Sequence, residues 1–221
     1  MAMYEKVNRM DIFRLLGVNT KYVSENMISI VESCLEELSE ISKPKSIYRK
    51  FEIENFKLVG TNFELVGNDI KRHLVGCHSS YLLGTTLGVE VDKLIKRYQY
   101  INLERAIVLD SCGSICIENQ CQILDDEIKS IEDSSYTTVR YSPGYGDFPI
   151  TSQKSFAKVL ELDRRIGVKI NSLGIMIPKK SITAIIGVSD NLPQNILDRC
   201  KICKLSEDCI YIERMVERVR K

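Results

Sequence analysis

Helix-like and strand-like stretches follow one another irregularly along this chain, and that irregularity constrains the fold more than any other feature. Ser24 is an N-cap, followed by Met27, Val31, Cys34, Leu38 and Ile41 at helical spacing. Pro44 ends that helix. Ile47, Phe51 and Ile53 then alternate with Tyr48 and Glu52, as in a half-buried strand. Gly60-Thr61-Asn62 reads as a hairpin turn inside residues 56–64. Residues 68–74 and 87–98 read as helices, and residues 103 to about 131 as the longest one, with Ile107, Ile115 and Ile128 among its apolar positions. Residues 137–141 are strand-like. Residues 152–162 read as helical with Phe156, Val159 and Leu160 inward, residues 167–171 and 181–188 as strands, and residues 207–220 as an amphipathic helix. Strands and helices do not alternate as a doubly wound parallel sheet demands, so the expected class is α+β. There is no internal repeat and no low-complexity tract.

A chain of 221 residues can bury a substantial core in one or two domains. Hydrophobic residues make up 44% and charged residues 28%, as in an ordinary globular protein. Thirty-one basic against 30 acidic residues leave a net charge of +1, so no basic excess argues for nucleic acid. No apolar run approaches the ~20 residues of a transmembrane helix. The stretch Met1-Ala2-Met3-Tyr4-Glu5-Lys6 has no signal-peptide apolar region, so a cytoplasmic location is expected, with no membrane partner.

The candidate site is the loop Arg140-Tyr141-Ser142-Pro143-Gly144-Tyr145-Gly146-Asp147. Pro143 fixes φ and Gly144 accepts φ > 0, a type II turn signal that reverses the chain just after Arg140. Gly144 and Gly146 lack a Cβ, so a ligand can approach the backbone there. Arg140 suits a bidentate, charge-assisted pair with a carboxylate. Tyr141 and Tyr145 suit an adenine face or a sulfonium, the latter by cation–π attraction. The same loop also satisfies a plain surface turn with a solvated Arg.

Arg140-x-x-x-Gly144-Tyr145 resembles the S-adenosylmethionine-binding signature of the activation domain of cobalamin-dependent methionine synthase. Further blocks are similar to that family in order and spacing: Phe63-Glu64-Leu65-Val66-Gly67-Asn68-Asp69-Ile70 and Gly76-Cys77-His78; Leu109-Asp110-Ser111 leading into the long helix; and Met176-Ile177-Pro178-Lys179-Lys180-Ser181-Ile182-Thr183-Ala184-Ile185-Ile186-Gly187. The resemblance runs roughly from Asn8 to Lys221 and is nearest to the free-standing form of the domain. It implies a C-shaped fold with a twisted, largely antiparallel sheet and flanking helices. It implies two regions, an activation-domain-like part at 1–190 and a cysteine-containing tail and helix at 191–221.

The resemblance also implies a function. A cobalamin enzyme that has oxidised to inactive cob(II)alamin recovers by taking one electron and a methyl group from S-adenosylmethionine. Arg140 would anchor the methionyl carboxylate, backbone near Tyr141, Pro143 and Gly144 would bind the rest of the ligand, and Tyr145 would shape the pocket. Glu118, eight residues after Asp110 on the long helix, would meet the ligand ammonium; as a bare sequence feature it fits a solvated helix face equally well. No general base is needed, because the nucleophile is cobalt. Implied partners are a cobalamin-bearing methionine synthase or another corrinoid protein, with flavodoxin or ferredoxin as electron donor.

Seven of the eight cysteines divide into two kinds. Cys34, Cys112, Cys116 and Cys121 lie in apolar helical patterns and read as core; Cys112 and Cys116, four apart, share a helix face. Cys200, Cys203 and Cys209 form the second kind. Cys200-x-x-Cys203 can chelate a metal or cycle as a dithiol. With Cys209 it supplies three thiolates towards zinc or an iron–sulfur cluster, with Cys77 or His78 as a conceivable fourth ligand. Lys179 and Lys180 are expected to face solvent, and Ser181 and Thr183 either line the site or serve only as strand residues. Two other classes fit the sequence: a metal- or iron–sulfur-binding redox accessory protein of corrinoid metabolism, and a stand-alone small-molecule methyltransferase.

Overall fold

The computed structural model describes Tyr4, residues 7–132 and residues 135–191. The tail with Cys200, Cys203 and Cys209, and the expected helix over residues 207–220, lie outside the described residues. In chain order the elements are α1 (Arg9–Leu15), α2 (Glu25–Ile41), β1 (Lys45–Glu54), β2 (Lys57–Leu58), α3 (Asn68–His73), β3 (Ser79–Thr86), α4 (Val89–Ile101), α5 (Leu103–Ile131), β4 (Tyr136–Thr137), a 3₁₀ turn (Ile150–Ser152), α6 (Gln153–Leu160), α7 (Leu162–Ile166), β5 (Lys169–Ile170), β6 (Met176–Ile177) and β7 (Ser181–Ser189). The main sheet has the order β2-β1-β3-β7-β4, and each neighbouring pair is antiparallel. The strands β5 and β6 form a separate antiparallel pair. The expected α+β class, with an antiparallel sheet and flanking helices, is what forms.

Several local signals act as the sequence suggests. Ser24 caps α2, its hydroxyl accepting the Met27 N–H at 3.2 Å. Asn102 caps α5 in the same way, accepting from the Arg105 N–H at 3.0 Å. The turn at Gly60-Thr61-Asn62 closes β2 onto Phe63, whose carbonyl accepts the Leu58 N–H at 3.0 Å. The helix expected over 152–162 is interrupted at Glu161, which sits at φ 54°, and resumes as α7.

Sequence pattern missed the central strand β3, as it missed α1 and β6. Residues 79–86 read SSYLLGTT, and every one of them is buried. Period-2 alternation arises when one sheet face meets water. Here both faces are covered, so no alternation is written into the sequence. On one face Tyr81 and Leu83 pack with Ala184, Ile186 and Val188 beneath Cys121 and Ile128 of α5. On the other, Leu82 and Ile185 pack with Phe51, Phe156, Leu162 and Ile166 under α6 and α7. Gly84 admits α7: a Cβ there would lie 2.7 Å from Leu162.

Helix α5 ties two cores together. Its first half sends Val108, Leu109, Cys112, Ile115 and Cys116 into a helical cluster with α1, α2 and α4. Its second half lies on the sheet. Cys34, Cys112, Cys116 and Cys121 are buried free thiols, as expected of small core hydrophobes. Burial pushes Cys34 and Cys121 up to about 11 and Cys116 to about 12, which keeps them protonated and inert.

Candidate functional site

A single extra residue places Arg140. Along β7, Val188 faces Thr137, and three residues earlier Ile185 faces Tyr141. Four steps on one strand therefore oppose three on the other, which is a bulge. In an unbroken strand Thr137 and Tyr141 would point to the same face. With the bulge, Tyr141 enters the α6 side of the sheet and Arg140 turns to the α5 side. The bulge is held by side chains. The Thr138 hydroxyl accepts the Gly187 N–H at 2.9 Å, and the Thr138 N–H donates to the Gly187 carbonyl at 2.9 Å. His73 of α3 closes it from behind, its Nε2 2.9 Å from both the Val139 carbonyl oxygen and the Thr138 hydroxyl.

On the α5 side the Arg140 side chain is only 13% exposed. Its Nη2 lies 3.4 Å from Glu118 Oε2 and its Nε 3.9 Å from Asp125 Oδ2. Both distances exceed the 2.7–2.9 Å of a tight charge-assisted pair, so the guanidinium keeps donor capacity for a further anion. Burial opposes its charge, and the nearby carboxylates of Glu118 and Asp125 favour it. Glu118 is 46% exposed, so one carboxylate lies at the surface against a cation that is largely buried. Tyr145 is half exposed beside them; burial of its hydroxyl and the Glu118 charge raise its pKa. The structure thus brings Arg140, Glu118 and Tyr145 together.

The turn has the expected form. The Tyr145 N–H donates to the Ser142 carbonyl at 3.1 Å, with Pro143 and Gly144 (φ 98°) between them. Pro143 is buried. Tyr141 does not cover a ligand with its ring. It is buried, stacks on His73 with centroids 5.1 Å apart, and donates its hydroxyl to the Tyr145 carbonyl at 3.1 Å. Its main chain exchanges both hydrogen bonds with Ile185 at 2.9 Å. Gly146 also serves the protein itself: at φ 52°, its missing Cβ makes room for the Asp69 carboxylate and the Tyr141 hydroxyl.

Asp147, next in the chain, latches the loop. Its carboxylate accepts from the Asn68 N–H at 2.7 Å and the Asp69 N–H at 2.9 Å, and its own N–H donates to Asp69 Oδ2 at 3.2 Å. This is a helix N-cap supplied from 79 residues away. The backbone donors of Asp69 and Asn68 hold its carboxyl below the usual value. Gly67 is required opposite it, because a Cβ there would lie 2.7 Å from Asp147 Oδ1.

One further expectation is corrected, and one alternative is resolved. Lys180 does not face solvent. It is buried over Gly113 and donates to Asp110 Oδ1 at 2.9 Å and Ser114 Oγ at 2.8 Å. Neither Ser181 nor Thr183 lines the Arg140 site. Ser181 donates to the Pro178 carbonyl at 2.7 Å, and Thr183 donates to Gln153 on the opposite face at 2.5 Å. Among the described residues no group of three ligating side chains converges, and the cysteines that Cys77 or His78 would join lie outside those residues. Burial pushes the Cys77 thiol up to about 11, and His78 pairs with Asp190 at 3.4 Å. A hollow of about 360 Å³ lies on the other side of the sheet, among Arg49, Phe51, Phe63 and Lys158, remote from Arg140. No helix among the described residues is long and apolar enough to cross a membrane.

Sequence reading missed His73, Thr138 and Asp147 as site-builders. Asp147 had a visible signal, an acidic residue ending a Gly-rich loop, but its partner helix is far away in sequence. Nothing local marks a bulge.

The fold defined by this sheet and its flanking helices is that of methionine synthase reactivation domains. A solved structure, the crystal structure of the MetH reactivation domain bound to AdoHcy, superposes with a TM-score of 0.62 at 14% sequence identity, covering 84% of this chain and 74% of that one. At that identity the likeness is one of fold. No family model matches the chain, and no curated protein matches it in sequence.

Proposed function

We propose that this protein binds S-adenosylmethionine on the α5 side of its sheet and supports reductive methylation of cob(II)alamin held by a separate methionine synthase or related corrinoid protein. The observation that carries the reading is the placement of Arg140: a largely buried, loosely paired guanidinium beside an exposed carboxylate and a half-exposed tyrosine. An α-amino acid carries an anion and a cation side by side, and Arg140 with Glu118 offers the opposite pair. Tyr145 gives a sulfonium a π-face. The solved structure of the same fold holds AdoHcy.

The residues present would bind and orient the methyl donor. The partner's cobalamin supplies the nucleophile, so positioning is the chain's contribution and no general base is required. The loop borders exposed apolar surface suited to a docking partner. Ile150 lies against both Gly144 and Gly174, and Tyr145, Leu173 and Ile175 are exposed around it. The electron would come from a flavodoxin- or ferredoxin-type donor. The test is reconstitution: cob(II)alamin-loaded partner, reductant and S-adenosylmethionine should yield methylcobalamin only when this chain is present. Equal yield without it would remove the proposal.

A further inference from the structure

Two ion pairs, not one, line the same stripe of α5. Arg140 faces Glu118 at one end, and Lys180 faces Asp110 at the other. At 3.6 residues per turn, Asp110, Ser114 and Glu118 step round the helix by about 40° each and span about 12 Å along it. Both cations come from the sheet and are largely buried, while both carboxylates are open, Asp110 at 58% exposure. The second pair belongs to no part of the binding scheme above.

Its geometry is built. Lys180 lies at the start of β7, where its carbonyl accepts the Leu87 N–H at 2.9 Å and the neighbouring Lys179 N–H donates to Asp92 at 2.7 Å. Its stem packs on Gly113, where a Cβ would lie 3.2 Å from Lys180 Cε. The ammonium then fixes Asp110 Oδ1 and Ser114 Oγ, and Ser114 in turn donates to the Asp110 carbonyl at 3.0 Å. Asp110 Oδ2 accepts no hydrogen bond among the described residues, so a carboxylate held by one oxygen presents the other outward. One turn before it, Ile107 is an exposed apolar side chain on the neighbouring surface.

We infer that Asp110 recognises the ribose hydroxyls of the methyl donor, with Lys180 as its positioning residue and Ile107 as apolar surface beside the base. A carboxylate accepts from vicinal hydroxyls, both of which are donors. The amino-acid end then lies at Arg140 and the nucleoside end two helical turns towards the start of α5. This rests on the S-adenosylmethionine reading and fixes the ligand's direction.

The test is titration calorimetry with S-adenosylmethionine and its 2′-deoxy analogue, on wild type, Asp110→Asn, Lys180→Met and the double variant, each checked for an unaltered circular dichroism spectrum. Wild type should prefer the ribose form by about tenfold, the worth of one charge-assisted hydrogen bond. Asp110→Asn should lose that preference, and Lys180→Met should reduce it, with no further loss in the double variant. A merely structural ion pair would weaken both ligands equally and leave the preference intact. Wild-type binding with an undiminished preference in Asp110→Asn overturns the inference and leaves the methyl-donor reading standing. Wild type binding neither ligand overturns that reading, and the inference with it.

Discussion

Arg140 brings a positive charge to a place almost closed to solvent, and it is kept there by carboxylates it only loosely engages. Such a group is costly unless it is used. Around it, single residues fix the loop. Asp147 is the clearest case, and its effect depends on pH. Its folded pKa lies below the ordinary value because two helix N–H groups bind the ionised form. Its contribution is therefore present above the unfolded value of about 3.9 and is lost as pH falls through the lower folded value. Asp147→Asn should lower stability at pH 7 and leave wild type and variant nearly alike once pH has fallen below the lowered folded value, as urea midpoints followed down through that range would show. A difference independent of pH would contradict the latch. Gly146→Ala should loosen the same loop, because a Cβ at φ 52° would stand 2.8 Å from the Tyr141 hydroxyl. Part of this was legible: Pro143-Gly144 announced its turn. The destination of Tyr141 was not, because facing is set by strand parity and the bulge reverses it.

At the scale of elements, the bulge and the covered strand matter most. Thr138→Val should leave the Gly187 N–H without its hydroxyl acceptor inside the sheet, at a cost of about 1–3 kcal/mol. Thermal denaturation would register this as a lower Tm, and an unchanged Tm would mean that the bulge holds itself without the hydroxyl. Leu83→Ala in β3 should cost about 2–5 kcal/mol, as for a fully buried leucine in a close-packed core. Long amphipathic stretches such as α2 and α5 could be read from their period because each meets water along one side. The strand β3 could not, because Ser79, Ser80, Thr85 and Thr86 are polar residues buried between two layers. Lys180 was misjudged for a related reason: a lysine before a strand is ordinarily solvated, and only the approach of Gly113 on α5 creates its niche.

For the molecule as a whole, α5 joins the helical cluster to the sheet, so the two cores should unfold together. Leu109→Ala, at the helical end, should cost about 2–5 kcal/mol. It should shift tyrosine fluorescence and circular dichroism transitions by the same amount. Two separated transitions would show independent cores. The architecture also sets what the site can do. It presents a charged stripe of one helix to solvent beside an apolar rim, and among the described residues no metal-ligating cluster forms there. The most direct test is titration of S-adenosylmethionine into wild type beside Arg140→Ala. The account predicts saturable binding by wild type and a loss of about a hundredfold or more in the variant, as for removal of a bidentate charged pair. Equal affinity in the two proteins would contradict it.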